Sequence, residues 1–311
     1  MHAILIAFVS ILTLIGCAGS SESDSERVSA SSRTESIRID SQERSHASAE
    51  RPRRRSVSVE GVTLSILEAG TGDPIIYVHG VVTTSNIFPN YLDAFSPNYR
   101  GIAVDLRGYG DSQKPPSGFT IDQFATDLIK LADQLGIEKP VWVGVSMGGM
   151  ILQRLALDYP DRVRALVLVS TTDGAMILDK NIETIGAPRD YQKVSQTIIA
   201  ESFPPGTEPA LYQPLIDRIP TWNATVLREA LGSMSRFDVH GQLSQIHVPT
   251  LIMVGAKDDV ATTAIAKGIH EQIPDSRLAE FHTGHFIMAE DPDAFQAVLG
   301  EFLNKVKAER S

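Results

Sequence analysis

From residue 57 onward, short apolar runs alternate with stretches whose apolar positions recur three or four residues apart. PIIYVHG (74–80), YRGIAVDLRG (99–108), PVWVGV (140–145), VRALVLVST (163–171) and VPTLIMVGA (248–256) carry almost unbroken apolar centres. Strands that are apolar on both sides are buried on both faces, the mark of a parallel sheet covered by helices. GVTLSILEAG (61–70) predicts a strand ahead of the turn TGDP, and SRLAEFHTG (276–284) predicts a last one. Helical spacing marks 121–136, with Gly136 as a C-cap, then 147–160 and 292–307. This alternation predicts an α/β fold, a mostly parallel central sheet with helices on both faces. Between Thr171 and about Ser244 the pattern changes to helical stretches broken by FPPGTEP and IPTW. That predicts a helical cap over about 172–244, above the strands' C-terminal ends, where open α/β sheets bind ligands. The competing reading is a set of ordinary outer helices.

The N-terminal pattern differs. AILIAFVSILTLI (3–15) is too short for a comfortable membrane span but suits the core of a signal peptide. It ends in LIGC (14–17), which resembles the lipobox of bacterial lipoproteins. The resemblance implies cleavage after residue 16 and a diacylglycerol on Cys17; an ordinary secretory signal with an incidental cysteine is the alternative. From Ala18 to Ser56 there is no aromatic residue, many serines and charges of both signs. Such a segment buries too little apolar surface to offset its ordering entropy, so it reads as a disordered tether. The basic run RPRRR (51–55) reads as solvated or as a contact for anionic headgroups. The expected organisation is a signal peptide over 1–16, a lipidated cysteine and tether over 17–56, and one folded domain over 57–311. The lipoprotein resemblance implies the bacterial cell envelope, with a membrane reached through the anchor. Ala18, rather than Asp, following the cysteine implies the outer membrane in a diderm cell.

Composition narrows the chemistry. With 311 residues, 42% hydrophobic and 21% charged, the chain has a globular balance. A formal net charge of −10 argues against non-specific nucleic-acid binding. Cys17 is the only cysteine, so neither an intramolecular disulfide nor a multi-cysteine metal site is available. There is no HExxH, P-loop or dinucleotide fingerprint, and no metal or cofactor is expected.

GVSMG (144–148) sets a serine between two glycines directly after the run PVWVGV. A sharp strand-to-helix turn of this kind lifts a nucleophilic serine clear of the backbone. A hydroxyl needs a base, and the base needs a partner that fixes its tautomer. TGHF (283–286) places His285 just after the last strand, and VGAKDD (254–259) places Asp258 just after another. The order Ser146, Asp258, His285, with VHG (78–80), DLRGYGDS (105–112), GVSMGG (144–149), GAKDD (255–259) and TGHF (283–286), resembles the capped α/β-hydrolase fold superfamily over nearly all of 57–311. The stretches around the serine and LIMVGAKDD are most similar to the 3-oxoadipate enol-lactonase and esterase-like branch. The resemblance implies Ser146 as nucleophile, His285 as general base then acid, and Asp258 as its orienting carboxylate. It implies an oxyanion hole made by the backbone N–H groups of Val81 and Met147. Asp259, Asp238 and His282 remain competitors for the acid and base roles. His79 reads as a structural support of the oxyanion loop, and Arg107 and Asp111 as supports of their turn. His240, His247 and His270 read as surface or loop residues, Trp142 and Met150 as core or pocket wall.

The expected activity is cleavage of a small carboxylic ester or lactone through an acyl-enzyme. The alternatives are C–C bond hydrolysis, acyl transfer or perhydrolysis with the same triad, and a non-catalytic ligand-binding lipoprotein.

Overall fold

The computed structural model describes residues 51–175, 188–217 and 223–309. Cys17 and most of the expected tether lie outside the described residues, as do 176–187 and 218–222 within the expected cap. Eight strands form one sheet: β1 (Arg53–Val59), β2 (Val62–Ala69), β3 (Asp73–Val78), β4 (Tyr99–Asp105), β5 (Val141–Val145), β6 (Ala165–Val169), β7 (Thr250–Gly255) and β8 (Ser276–Phe281). Their order across the sheet is β1-β2-β4-β3-β5-β6-β7-β8. β3 to β8 run parallel, and β1 and β2 are joined antiparallel at one edge. Every residue of β5, β6 and β7 is buried, which is why these strands read as unbroken apolar runs.

Side chains alternate across this sheet with period two, and each set meets its own helices. Ile76, Val104 and Leu168 face one layer, where α2 (Ile121–Gln134), α3 (Met147–Asp158) and α7 (Thr263–Gln272) bring Phe124, Leu128, Ile151, Leu155 and Ile269. Tyr77, Val143 and Val167 face the other, where α1 (Pro89–Phe95) brings Leu92 and α9 (Pro292–Ala308) brings Phe295, Leu299 and Phe302. The Thr120 side chain caps the start of α2 by accepting from the Gln123 N–H, and Gly136 follows its end at φ +67°. Trp142 and Met150 are fully buried. Trp142 Nε1 donates to the Arg162 carbonyl at 3.1 Å, so its one polar atom is satisfied.

The boundary expected at residue 57 falls inside β1, and the basic run before it is built into the sheet. Arg54 donates to Asp105 at 2.7 Å and to Ser85 Oγ at 3.2 Å, and Arg55 pairs with Glu68 at 2.8 Å. The charge pattern RRRSVSV hid an edge strand because four of its first residues are exposed and only Val57 and Val59 are buried.

Between β6 and β7 the described chain is helical: α4 (Pro188–Glu201), α5 (Pro209–Ile216) and α6 (Ala224–Met234). α6 is fastened to the loop before α2, where Glu229 accepts from the Gly118 and Phe119 N–H groups at 3.1 and 3.3 Å. Ser233 Oγ accepts from Ile121 N–H at 3.0 Å. The segment after α4 reaches the loop that follows β8, so these helices lie over the C-terminal ends of the strands.

Candidate active site

The turn between β5 and α3 is fixed by what its neighbours exclude. Ser146 has φ +54° and ψ −118°, one of two non-glycine residues with positive φ among the described residues. Such a conformation costs about 1–3 kcal/mol and persists only where the surroundings hold it. A Cβ at Gly144 would lie 2.5 Å from the Gly148 carbonyl oxygen, and one at Gly148 would lie 2.3 Å from the Val78 carbonyl oxygen. Only glycine permits this approach of α3 to the end of β3. The turn is tied down by Ser146 N–H to Val169 O at 2.8 Å and by the Thr171 hydroxyl to Ser146 O at 2.8 Å. Although Ser146 sits at the N-cap of α3, its side chain makes no capping bond, so Oγ is not held by the helix.

Opposite this turn lies the loop after β3. Gly80 is packed against Ser146: a Cβ there would stand 3.3 Å from the serine Cβ. The loop's internal bonds use the Gly80 N–H, which donates to Thr83 Oγ1 at 3.0 Å, and the Thr83 N–H, which donates to Gly80 O at 3.3 Å. The N–H of Val81 takes no part in these. On the other side, the first turn of a helix has no internal acceptor for its leading N–H groups, and Met147 holds the first position of α3.

His79 supports this loop from below. Its Nε2 accepts from the Leu106 N–H at 3.1 Å, which leaves Nδ1 to donate to Gly80 O at 2.8 Å. Complete burial pushes its imidazole below the ordinary range, so the ring stays neutral in that tautomer. Asp105, with no exposed surface, accepts from Ser85 N–H at 2.8 Å, Asp111 N–H at 3.0 Å and Arg54 at 2.7 Å. The buried bidentate pair of Arg107 and Asp127, at 2.5 and 2.6 Å, holds the turn after β4 to α2.

The loops after β7 and β8 bring Asp258 and His285 together. His285 Nδ1 donates to Asp258 Oδ2 at 2.8 Å, and both residues are buried. Asp258 Oδ1 accepts from the Val260 and Ala261 N–H groups, each at 2.9 Å, so every oxygen of this carboxylate has a donor. The competitors stand apart. Asp259, Asp238, His282, His247 and His240 are exposed. Asp238 accepts from the His240 N–H at 3.0 Å, and His270 is bonded to Ser276 Oγ at 2.7 Å. Among the described residues no hydrogen bond joins Ser146 Oγ to the His285 ring.

A sizeable concavity lies elsewhere. A groove of about 670 Å³ opens at the other end of the sheet, lined by residues such as Asp73, Arg100, Lys139, Arg164 and Glu309. Arg100 is paired with Glu68 at 2.6 Å and Arg164 with Asp73 at 3.1 Å, so its main charges already neutralise one another. The serine end, by contrast, carries a strained serine after β5 and a buried histidine–carboxylate pair in the loops after β7 and β8.

Sequence reasoning missed the residues that hold the histidine loop. The His285 N–H donates to the Ser202 carbonyl at 3.0 Å, and Phe286 stacks on Phe203 with centroids 5.0 Å apart. The Gly284 N–H donates to both carboxylate oxygens of Glu290, at 3.1 and 2.9 Å. The partners are backbone groups, for which a side-chain motif gives no signal.

Comparisons with known proteins agree with this fold. Residues 73–216 match the family model described as alpha/beta hydrolase fold. 3-Oxoadipate enol-lactonase 2 of Acinetobacter baylyi is 27% identical over 259 residues, covering 79% of this chain and 97% of that protein. Proline iminopeptidase of Lactobacillus helveticus is also 27% identical, covering 75% of this chain and 90% of that protein. The crystal structure of a hydrolase from Pseudomonas aeruginosa superposes with a TM-score of 0.75 at 25% identity, covering 80% of this chain and 98% of that one.

Proposed function

The chain has the α/β-hydrolase fold, and from that premise we propose that it is a serine hydrolase cleaving a small carboxylic ester or lactone through an acyl-enzyme. One observation carries the reading: a strained serine, free of capping duty, shares the strand ends with a buried, fully bonded Asp258–His285 pair. Ser146 Oγ attacks the carbonyl carbon while His285 Nε2 takes its proton, and Asp258 stabilises the imidazolium through Nδ1–H. The oxyanion sits between the N–H groups of Val81 and Met147, and removal of such a donor costs about 10²–10³ in rate. As the tetrahedral intermediate collapses, His285 returns the proton to the leaving alkoxide; in a lactone the freed hydroxyl stays joined to the acyl group. Water, deprotonated by His285, then attacks the acyl-enzyme and releases the acid and Ser146.

A lactonase and a peptidase among the relatives support a hydrolase; the enol-lactonase, matched over nearly its whole length, favours the ester and lactone reading. Labelling with a fluorophosphonate tests it, together with turnover of a panel of p-nitrophenyl esters and lactones. Labelling confined to Ser146 and lost in Ser146→Ala supports the proposal; labelling retained in that variant rejects it. The run 3–15 and LIGC further support lipidation at Cys17 and attachment to a bacterial membrane. Mass spectrometry of the native N-terminus tests that separately, and an unmodified Cys17 rejects it without touching the hydrolase reading.

A further inference from the structure

We infer that Glu290 is a positioning residue for His285, clamping the histidine loop from behind; this rests on His285 acting as the base. The loop 283–286 is a short backbone span, and the N–H groups of 284 and 285 both find acceptors outside it. Gly284 N–H donates to both oxygens of Glu290, at 3.1 and 2.9 Å. The His285 N–H goes instead to Ser202 O, at 3.0 Å. One carboxylate therefore grips the residue directly before the histidine, while the histidine's own N–H is held from the other side.

The base of the clamp is itself fixed. Glu290 ends the short helix α8 (Ile287–Glu290), whose Ile287 and Met288 are buried. Tyr91 donates to the Met288 carbonyl at 2.6 Å, and its ring packs against Phe295 of α9 with centroids 4.8 Å apart. The Asp291 side chain accepts from the Ala294 N–H at 3.2 Å and starts α9 immediately after the clamp. The carboxylate is thus carried on the helical core and not on the cap. Charge-assisted bonds to backbone N–H groups are about twice as strong as neutral ones, so an ionised Glu290 suits the task. Burial weakens its acidity, and the facing Asp258 carboxylate adds to that, while the backbone N–H donors and the Lys257 ammonium act in the opposite direction.

The function follows from geometry. His285 must hold Nδ1 on Asp258 while Nε2 serves the reacting oxygen, and displacement of a catalytic group by about 1 Å can cost 10²-fold. The test uses the full chain as wild type, Glu290→Gln and Glu290→Ala, with p-nitrophenyl acetate as substrate. kcat, KM, the fluorophosphonate labelling rate, the melting temperature and the low-field proton resonance of His285 Nδ1–H are measured. Glu290→Gln keeps one oxygen acceptor in nearly the same shape, so it folds even where the alanine variant does not.

The expected result is a fall in kcat of roughly tenfold for Gln and up to about 10²-fold for Ala, KM staying within about twofold. The labelling rate should fall in parallel and the Nδ1 proton signal should shift or broaden. Partial recovery in Gln relative to Ala supports a clamp acting through its oxygens. A drop in melting temperature with kcat, labelling and the proton signal unchanged overturns the inference and leaves Glu290 merely structural. Should the wild type neither turn over nor label, the hydrolase reading fails, and the proton resonance alone then decides whether Glu290 positions the Asp258–His285 pair.

Discussion

The sheet and the cap that covers its strand ends are built on opposite terms. Every residue of β5, β6 and β7 is buried, and the turns leaving these strands are held by glycine contacts too close for any side chain. By contrast, α5 in the cap has no buried residue, and it presents Leu211 at 42% exposure. Among the described residues, the cap is fastened to the sheet domain by the buried apolar face of α6, including Val226, Leu227 and Leu231, by the bonds of Glu229 and Ser233, and by the Phe203–Phe286 stack. On the proposed serine-hydrolase reading, these two layers divide two tasks: the buried sheet layer would fix the chemistry, and the cap, exposed along α5, would vary what the site admits.

The largest effect that distinguishes the layers should come from Ser146 and His285. Alanine at either position is expected to lower kcat by at least about 10³-fold for every substrate in an ester panel, because the members act as a unit. Asp258→Asn should cost somewhat less, and Asp259→Asn little. A variant that loses activity toward only some esters would break the division between chemistry and selection. Next comes Gly148→Ala, which touches no reacting atom. Its Cβ would lie 2.3 Å from Val78 O, so α3 or β3 must move and carry Met147 and Ser146 with it. A fall in both melting temperature and kcat is expected; near-wild-type values in both would show that the turn is not as tightly confined as the packing indicates.

What was legible in the sequence follows the same division. β5, β6 and β7 were readable because burial on both faces leaves continuous apolar runs, and the serine turn because its glycines are obligatory. Asp258 and His285 could be named as candidates because each stands in the loop just after a strand. β1 was hidden because an exposed edge strand can carry arginines, whose partners Asp105, Ser85 and Glu68 are distant in sequence. α1 and α7 were not anticipated either, the first being only seven residues and the second broken by Gly268. Glu290 and Ser202 were invisible for a different reason: they hold backbone groups, which every residue possesses.

A smaller and more selective effect is expected from the cap. Leu227 and Met234 of α6 are buried on its inner side. Their replacement by alanine should reorder the preference among short and long p-nitrophenyl esters. The expected size is about 1–3 kcal/mol in relative kcat/KM for each methylene-sized change in the pocket wall. An equal fall for all esters would place α6 with the structural layer and sharpen the boundary to α4 and α5 alone.

The smallest effect concerns the joint between the layers. Asp173 leaves β6 at the start of the cap region, and the chain returns past Val239, whose N–H donates to Asp173 O at 2.9 Å. The Asp173 carboxylate also takes the His240 ring at 2.9 Å and the Gln272 amide at 2.9 Å, tying both ends of the cap to α7. The hydrogen bond that the ring donates to Asp173, then the charge of that carboxylate, raise the His240 pKa above the ordinary value of 6.5, with Asp238 adding to the effect. A histidine whose folded pKa is raised contributes stability fully below its unfolded pKa, and loses that contribution as pH rises through the folded value. His240 is exposed, so solvent screens the pair and the contribution is small. Wild type and His240→Gln should therefore differ most in cap stability at about pH 5.5 and less at about pH 8.5, well above the ordinary imidazole range. Proteolysis within the cap, timed at both pH values, reads this directly. A difference that persists undiminished at the higher pH would mean that the neutral ring's hydrogen bond, and not its charge, secures the joint.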